Sequence, residues 1–345
     1  MRHYSSPSKL FLVRRILMAS LSIFAVASVQ AASHRVNDSL VLNQTQNIHI
    51  STTISEVAPA ENHRPKIALV LGSGGARGYA HIGVIKVLEE NGITPDFIVG
   101  TSAGSIVGAL YASGKTSKQL EDIALALKVS DVRDFTLSKQ GFFDGQKIED
   151  YINKQVNVQS LENLKIPLYV VATELKTGKE IVFHEGNTGK AVRASTSIPS
   201  MFVPTKIGNE EYVDGGLVSP VPVDVAKRLG ADIIIAVNIL AKPEYTETSN
   251  MWGLFNQNIN VMQNRLAYYE AEQADILIQP DVREKQHVFS TKSRKETIEA
   301  GEKSTLDHID RIKNLIEYRK FHIADENVEQ FTGKQQQQFQ YISSN

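Results

Sequence analysis

The sequence predicts an α/β fold: a single three-layer domain with a mainly parallel central sheet and a nucleophile elbow at a strand–helix turn. Three observations predict it. Segments 67–71 (IALVL) and 233–237 (IIIAV) are unbroken apolar runs, the pattern of parallel strands covered on both faces. Between them the chain alternates strand-like and helix-like stretches, beginning with a strand, a glycine loop, a helix and a second strand. The second strand, Phe97-Ile98-Val99, runs directly into Gly100-Thr101-Ser102-Ala103-Gly104, a G-x-S-x-G pattern followed by small and apolar helical residues.

In order, the N-terminus has a basic leader (Arg2, Lys9, Arg14, Arg15), an apolar segment over 16–29 and small residues at Val29-Gln30-Ala31. This is the layout of a secretory signal peptide spanning 1–31, with the apolar run shorter than a bilayer span. Arg14-Arg15 resembles a twin-arginine signal, although the flanking residues fit it poorly. Residues 32–64 are polar and read as an extension or linker, with one short strand near 47–53. The main globular domain is expected over 65–304. Helices are expected over 79–91, closed by Gly92, and over 116–127, 146–156 and 190–195, with another after Pro222. Strands are expected over 168–173, 180–183 and 275–279 and at Tyr212-Val213, while 135–145 is irregular. Phe255, Ile259, Met262, Leu266 and Tyr269 recur at three- and four-residue steps, which predicts an amphipathic helix packed on the sheet. Its few basic residues argue against a membrane-binding helix. Leu306, Ile309, Ile312 and Ile316 mark a closing helix in a C-terminal segment, 305–345, whose Gln-rich tail is expected to be disordered.

Composition limits the function. With 345 residues, 42% of them hydrophobic, the chain can bury a proper core, and a formal net charge of −1 gives no basis for nucleic-acid binding. The absence of cysteine excludes disulfides, thiolate metal sites and a cysteine nucleophile.

The chemistry concentrates in three short motifs. Ser102 at the tip of a tight turn has its hydroxyl lifted from the backbone, and Gly100 and Gly104 let strand and helix pass closely. The loop Gly72-Ser73-Gly74-Gly75-Ala76-Arg77-Gly78 follows the first strand. It fails as a dinucleotide site, because the second strand does not end in an acidic residue, and as a phosphate loop, because no Lys-Ser or Lys-Thr follows. Beside a serine it can offer backbone N–H groups to an oxyanion. Asp214, followed by Gly215 and Gly216, puts a carboxylate in a tight turn where it could accept the serine proton directly. The alternative base is a histidine: His287, His308 and His322 follow Asp214 in the order of ordinary Ser-Asp-His hydrolases, while His81 lies just past the glycine loop.

Together the three motifs, with Ala194-Ser195-Thr196-Ser197-Ile198-Pro199, resemble the patatin-like phospholipase family over about residues 66–303. The resemblance implies a calcium-independent hydrolase of lipid acyl esters with no cofactor and no metal. Ser102 would be the nucleophile and Asp214 the base. Gly74, Gly75 and Arg77, with Ala103, would form the oxyanion hole, and Arg77 would orient that loop or meet a lipid phosphate. A lipid substrate in turn implies transient contact with a membrane surface. Two other readings stay open: a Ser-His-Asp esterase and a non-catalytic lipid- or protein-binding module.

Overall fold

The computed structural model describes residues 64–240, 242, 248–282 and 291–322. The leader, most of the polar extension with its expected strand, His287 and the Gln-rich tail lie outside the described residues. The sheet is built on β1 (Ile67–Leu71), which pairs in parallel with β2 (Phe97–Thr101) on one side and β7 (Ile233–Val237) on the other. Beyond β2 lies β3 (Leu168–Glu174), and beyond β7 lies β8 (Ile276–Ile278), both parallel. Three antiparallel strands, β4 (Glu180–Phe183), β5 (Thr205–Ile207) and β6 (Glu210–Asp214), complete the β3 end.

Strand alternation sorts the apolar residues into two cores. Leu69, Leu71, Ile98, Leu168, Ile235 and Ile278 face helices α1 (Tyr79–Glu90), α2 (Ala103–Ala112), α3 (Ser117–Ala126), α4 (Gln146–Gln155) and α5 (Thr188–Thr196). Ala68, Val70, Val99, Ile234 and Ala236 point the other way, towards α6 (Val223–Arg228) and the C-terminal half of α7 (Met251–Ala271). This is the expected three-layer arrangement. Helix starts follow their local chemistry: Thr116 and Gln119 form a reciprocal capping box on α3, and the Asn187 side chain caps α5.

Register at β3 positions the site. Strand β4 runs along one edge of β3 from Val170 to Thr173. Strand β2 occupies the other edge as far as Thr101 opposite Val171, and β6 takes over at the next residue, with Asp214 opposite Ala172. Two strands therefore meet end to end on one edge, with Ser102 leaving the first at the point where Asp214 ends the second.

Two expectations need correction. Helix α7 forms, but Phe255, Met262 and Tyr269 are exposed rather than packed on the sheet. Its buried contacts come from Ala267 and Ala271, because small residues are what allow the helix close to the sheet. At the C-terminus, α8 (Thr291–Leu306) was not expected from apolar periodicity, and Leu306 ends it exposed; the closing helix, 309–322, buries Ile312. Helix α8 has no apolar stripe because backbone proximity holds it: a Cβ on Gly83 of α1 would lie 2.0 Å from the Ile298 carbonyl, and one on Gly301 would lie 2.0 Å from that of Ala80. Arg294 adds a polar clamp, donating to the Ala124 and Leu127 carbonyls at the end of α3. Gly301→Val is expected to force these helices apart and lower the unfolding free energy by about 3 kcal/mol in urea titrations.

Candidate active site

Ser102 stands between β2 and α2 with φ 52° and ψ −117°, a conformation that non-glycine residues rarely adopt and that costs about 1–3 kcal/mol. The surroundings enforce it. The Ser102 N–H donates to Ser195 Oγ at 2.8 Å, and that hydroxyl donates to the Val171 carbonyl at 2.6 Å, tying the turn to α5 and β3. Thr101 Oγ1 donates to the Ser219 carbonyl, and Ser105 Oγ donates to that of Ser102. Close approach accounts for the flanking glycines: a Cβ on Gly104 would lie 1.9 Å from the Leu71 carbonyl oxygen, and one on Gly100 would lie 2.8 Å from the Ser105 Cα.

Asp214 and Ser102 are joined directly, with Ser102 Oγ donating to Asp214 Oδ2 at 2.6 Å, and both residues are 3% exposed. The other carboxylate oxygen, Oδ1, accepts the Gly216 N–H at 2.7 Å. Thr173 Oγ1 donates to the Asp214 carbonyl, and the Asp214 N–H donates to Ser197. Side chains at Gly215 and Gly216 would collide, the first with the Val171 carbonyl and the second with Gln263. Burial pushes the Asp214 carboxyl up to about 6, against the opposing pull of the Ser102 and Gly216 hydrogen bonds. A carboxylate there is a stronger proton acceptor than one in water and is still ionised at neutral pH.

The glycine loop curls over the same place. Ser73, Gly74, Gly75, Ala76 and Arg77 line a cavity of about 280 Å³ with Ser102 and Asp214. Gly72 is fastened to β7 by its N–H to the Val237 carbonyl, and Gly78 abuts Ala103, so loop and elbow interlock. Gly75 has φ +56°, the left-handed turn that lets the loop start its short 3-10 turn, Gly75–Gly78. Of its expected places, Arg77 takes the loop-orienting one and not the one in the donor set. Its backbone N–H donates to the Gly74 carbonyl, and its Nε donates to Ile239 at 2.8 Å, so it braces the loop against the end of β7.

The histidines sit elsewhere. His81 is buried on α1, with Nε2 2.9 Å from the Gly72 carbonyl, and burial lowers it to about 4, so it is neutral and donates a proton to the loop backbone. His308 and His322 bond to carbonyls of their own helical turns. Among the described residues no histidine lines the cavity.

Several contributors carry no sequence signal. Asn256, Ile259, Asn260 and Gln263 of α7 line the cavity, as do Ile198 and Pro199. Glu270 of the same helix accepts from the Ser219 hydroxyl and, at 2.8 Å, from the Val221 N–H. Burial raises it to about 7. Apart from Ile259, which belongs to the apolar stripe, these residues are polar and the periodicity of the helix draws no attention to them.

Because the folded protein raises Asp214 from 3.8 to about 6, its neutral form is favoured in the fold. The associated stability is complete below pH 4 and is lost as pH rises through 6. Asp214→Asn is therefore expected to gain on the parent by about 3 kcal/mol between pH 4 and pH 8, read from urea titrations across that range.

Residues 69–227 match the family model described as patatin-like phospholipase. An uncharacterised NTE family protein of Mycobacterium tuberculosis is 38% identical over 181 residues, covering 51% of this chain and 49% of that one. The human patatin-like phospholipase domain-containing protein 6 is 31% identical over 227 residues, covering 59% of this chain and 16% of its own length. The chain thus spans about half the length of the mycobacterial relative and a small part of the human one. Among solved structures, VipD from Legionella pneumophila superposes with a TM-score of 0.50 at 14% identity, covering 72% of this chain and 67% of that one, a likeness of fold. With its elbow, glycine loop and aspartate turn all inside residues 69–227, the chain carries a patatin-like phospholipase domain.

Proposed function

We propose that this protein is an exported serine acyl hydrolase that cleaves fatty-acyl esters of phospholipids or related lipids with a Ser-Asp dyad. The observation that carries the reading is the 2.6 Å hydrogen bond from Ser102 Oγ to a buried Asp214, made within a cavity bordered by the Gly74-Gly75 backbone. The family relationship supplies the substrate class.

Ser102 Oγ attacks the acyl carbonyl carbon while its proton passes to Asp214 Oδ2. Negative charge collects on the carbonyl oxygen, facing the N–H groups of Gly74 and Gly75 and the N-terminal end of α2 at Ala103; one such donor contributes about 3 kcal/mol in the transition state. The carbonyl re-forms as the ester C–O bond breaks, and the leaving alkoxide takes the proton back from Asp214. Water then attacks the acyl-serine, loses a proton to Asp214 and releases the fatty acid, with Ser102 reprotonated. No step needs a histidine or a metal. Export rests on the leader at 1–31, which supports a periplasmic or secreted location.

The test is fatty-acid release from mixed phospholipid micelles in EDTA. The parent is expected to release fatty acid, with a rate that falls below pH 6 as Asp214 gains its proton. Ser102→Ala and Asp214→Asn should each lose about a thousand-fold or more in kcat. Activity that survives Asp214→Asn would remove the dyad, and no release from any sample would return the chain to a binding role. For export, mass spectrometry of the protein outside the cytoplasm should find Ala32 as the first residue, and an intact N-terminus there would refute cleavage at that site.

A further inference from the structure

We infer that the rim of the Ser102 cavity is a lipid-docking surface with two prongs: the outer face of α7 and the hairpin over 135–143. The inference rests on the proposed lipid hydrolase for its choice of partner; the geometry comes from the rim itself.

The first prong is α7. Asn256, Ile259, Asn260 and Gln263 on its inner side line the catalytic cavity. On its outer side Met251, Leu254, Phe255, Val261, Met262, Tyr268 and Tyr269 are exposed, Met251 by 90%. A soluble helix normally turns its apolar side chains inward; here three amides and Ile259 face the substrate space and most of the large apolar side chains face solvent. The second prong leans on another segment that borders the cavity. Thr136 N–H donates to the Phe142 carbonyl and Asp144 N–H to the Asp134 carbonyl, making a short antiparallel hairpin whose Phe135, Leu137 and Phe142 are exposed. Phe143 turns inward onto Phe202, and the Phe142 and Phe143 N–H groups both donate to the Met201 carbonyl. Met201 and Phe202 follow Ile198 and Pro199, which line the same cavity as α7. Apolar side chains from two distant parts of the sequence are thus exposed beside segments that line one cavity.

Charge selects the occupant. From Met251 to Tyr269 there is no acidic residue and one arginine; from Phe135 to Phe143 there is no acidic residue and one lysine. Lys139 is at the exposed hairpin tip, and Arg265 lies with its guanidinium 4.5 Å from the centre of the Tyr269 ring. Apolar side chains with Tyr, Lys and Arg among them suit the boundary between acyl chains and anionic headgroups. A second copy of the helix fits less well: the outward rows of Leu254, Val261 and Tyr268 and of Phe255, Met262 and Tyr269 are separated by Met251, Asn258 and Arg265, so the middle of a helix pair would hold an amide and a charge. Docked this way, the opening faces the bilayer, and an acyl ester reaches Ser102 without crossing water.

The chain has no cysteine, so single cysteines carrying an environment-sensitive dye report burial position by position. We would label Leu137→Cys, Met262→Cys and Glu90→Cys, each in the full chain with Ser102→Ala to stop turnover. Glu90 is exposed at the far end of α1, away from the cavity. With vesicles of phosphatidylethanolamine and phosphatidylglycerol, the dyes at 137 and 262 should shift to the blue and be quenched by spin-labelled acyl chains, while the dye at 90 stays aqueous. Unshifted dyes at 137 and 262 overturn the inference, even if the protein pellets with vesicles through another segment. Burial at these sites before vesicles are added also overturns it; dependence on protein concentration would then indicate a second copy, and independence a covering segment of the chain itself. As a second measurement, Phe142→Ser with Met262→Ser should lower release from vesicles about ten-fold or more and leave turnover of a monomeric short-chain ester within about two-fold; equal losses on both substrates would count against docking. Ester turnover without dye burial refutes the docking surface alone, and dye burial without turnover refutes the hydrolase alone.

Discussion

The site depends on one backbone constraint, the end-to-end meeting of β2 and β6 along a single edge of β3. Thr101 is held opposite Val171 and Asp214 opposite Ala172 by main-chain hydrogen bonds, so the separation of the Ser102 hydroxyl and the Asp214 carboxylate is set by the rise between neighbouring residues. Side-chain freedom adds little error, and a 2.6 Å hydrogen bond forms between groups 112 positions apart in the chain. The same strand supplies the Val171 carbonyl that anchors Ser195 and the Thr173 hydroxyl that holds the Asp214 carbonyl. β3 is the rigid support on which both halves are mounted.

The other elements serve to keep strained or buried groups in place. Ser102 keeps its unfavourable backbone because its N–H, its carbonyl and the preceding threonine hydroxyl are all bonded. Asp214 stays buried because each carboxylate oxygen has a donor. Neutral His81 does the same for the glycine loop from below, through the Gly72 carbonyl. Strain and burial raise the energy of the resting site, and the hydrogen-bonded frame offsets that cost.

Helix α7 shows how one element can serve three surroundings. Its C-terminal end packs on the sheet through small residues, its inner face lines the cavity with amides, and its outer face leaves large apolar side chains uncovered. Glu270 ties it to the turn after Asp214, so the helix position and the aspartate turn are mechanically coupled.

The sequence by itself determined the strands, the elbow, the glycine loop and the aspartate turn, because each depends on local chemistry: unbroken apolar runs for covered strands, and small residues where the backbone must turn or approach closely. Ser102, Asp214, Gly74 and Gly75 were legible for that reason, and the structure brings them to one cavity. Only the tertiary structure decided which side of α7 faces inward, because period-3.6 spacing identifies a stripe without saying what covers it, and Phe255, Met262 and Tyr269 face solvent. It also decided α8, whose contact with α1 runs through glycines and backbone and leaves no apolar pattern to read. Arg77 reads as a donor to the site in sequence, but its amide and Nε are already bonded to Gly74 and Ile239, and Ile239 comes from a strand end 162 positions away. Local chemistry is written in neighbouring residues, whereas the partners of a side chain depend on register and crossing distance, which exist only once the chain has folded.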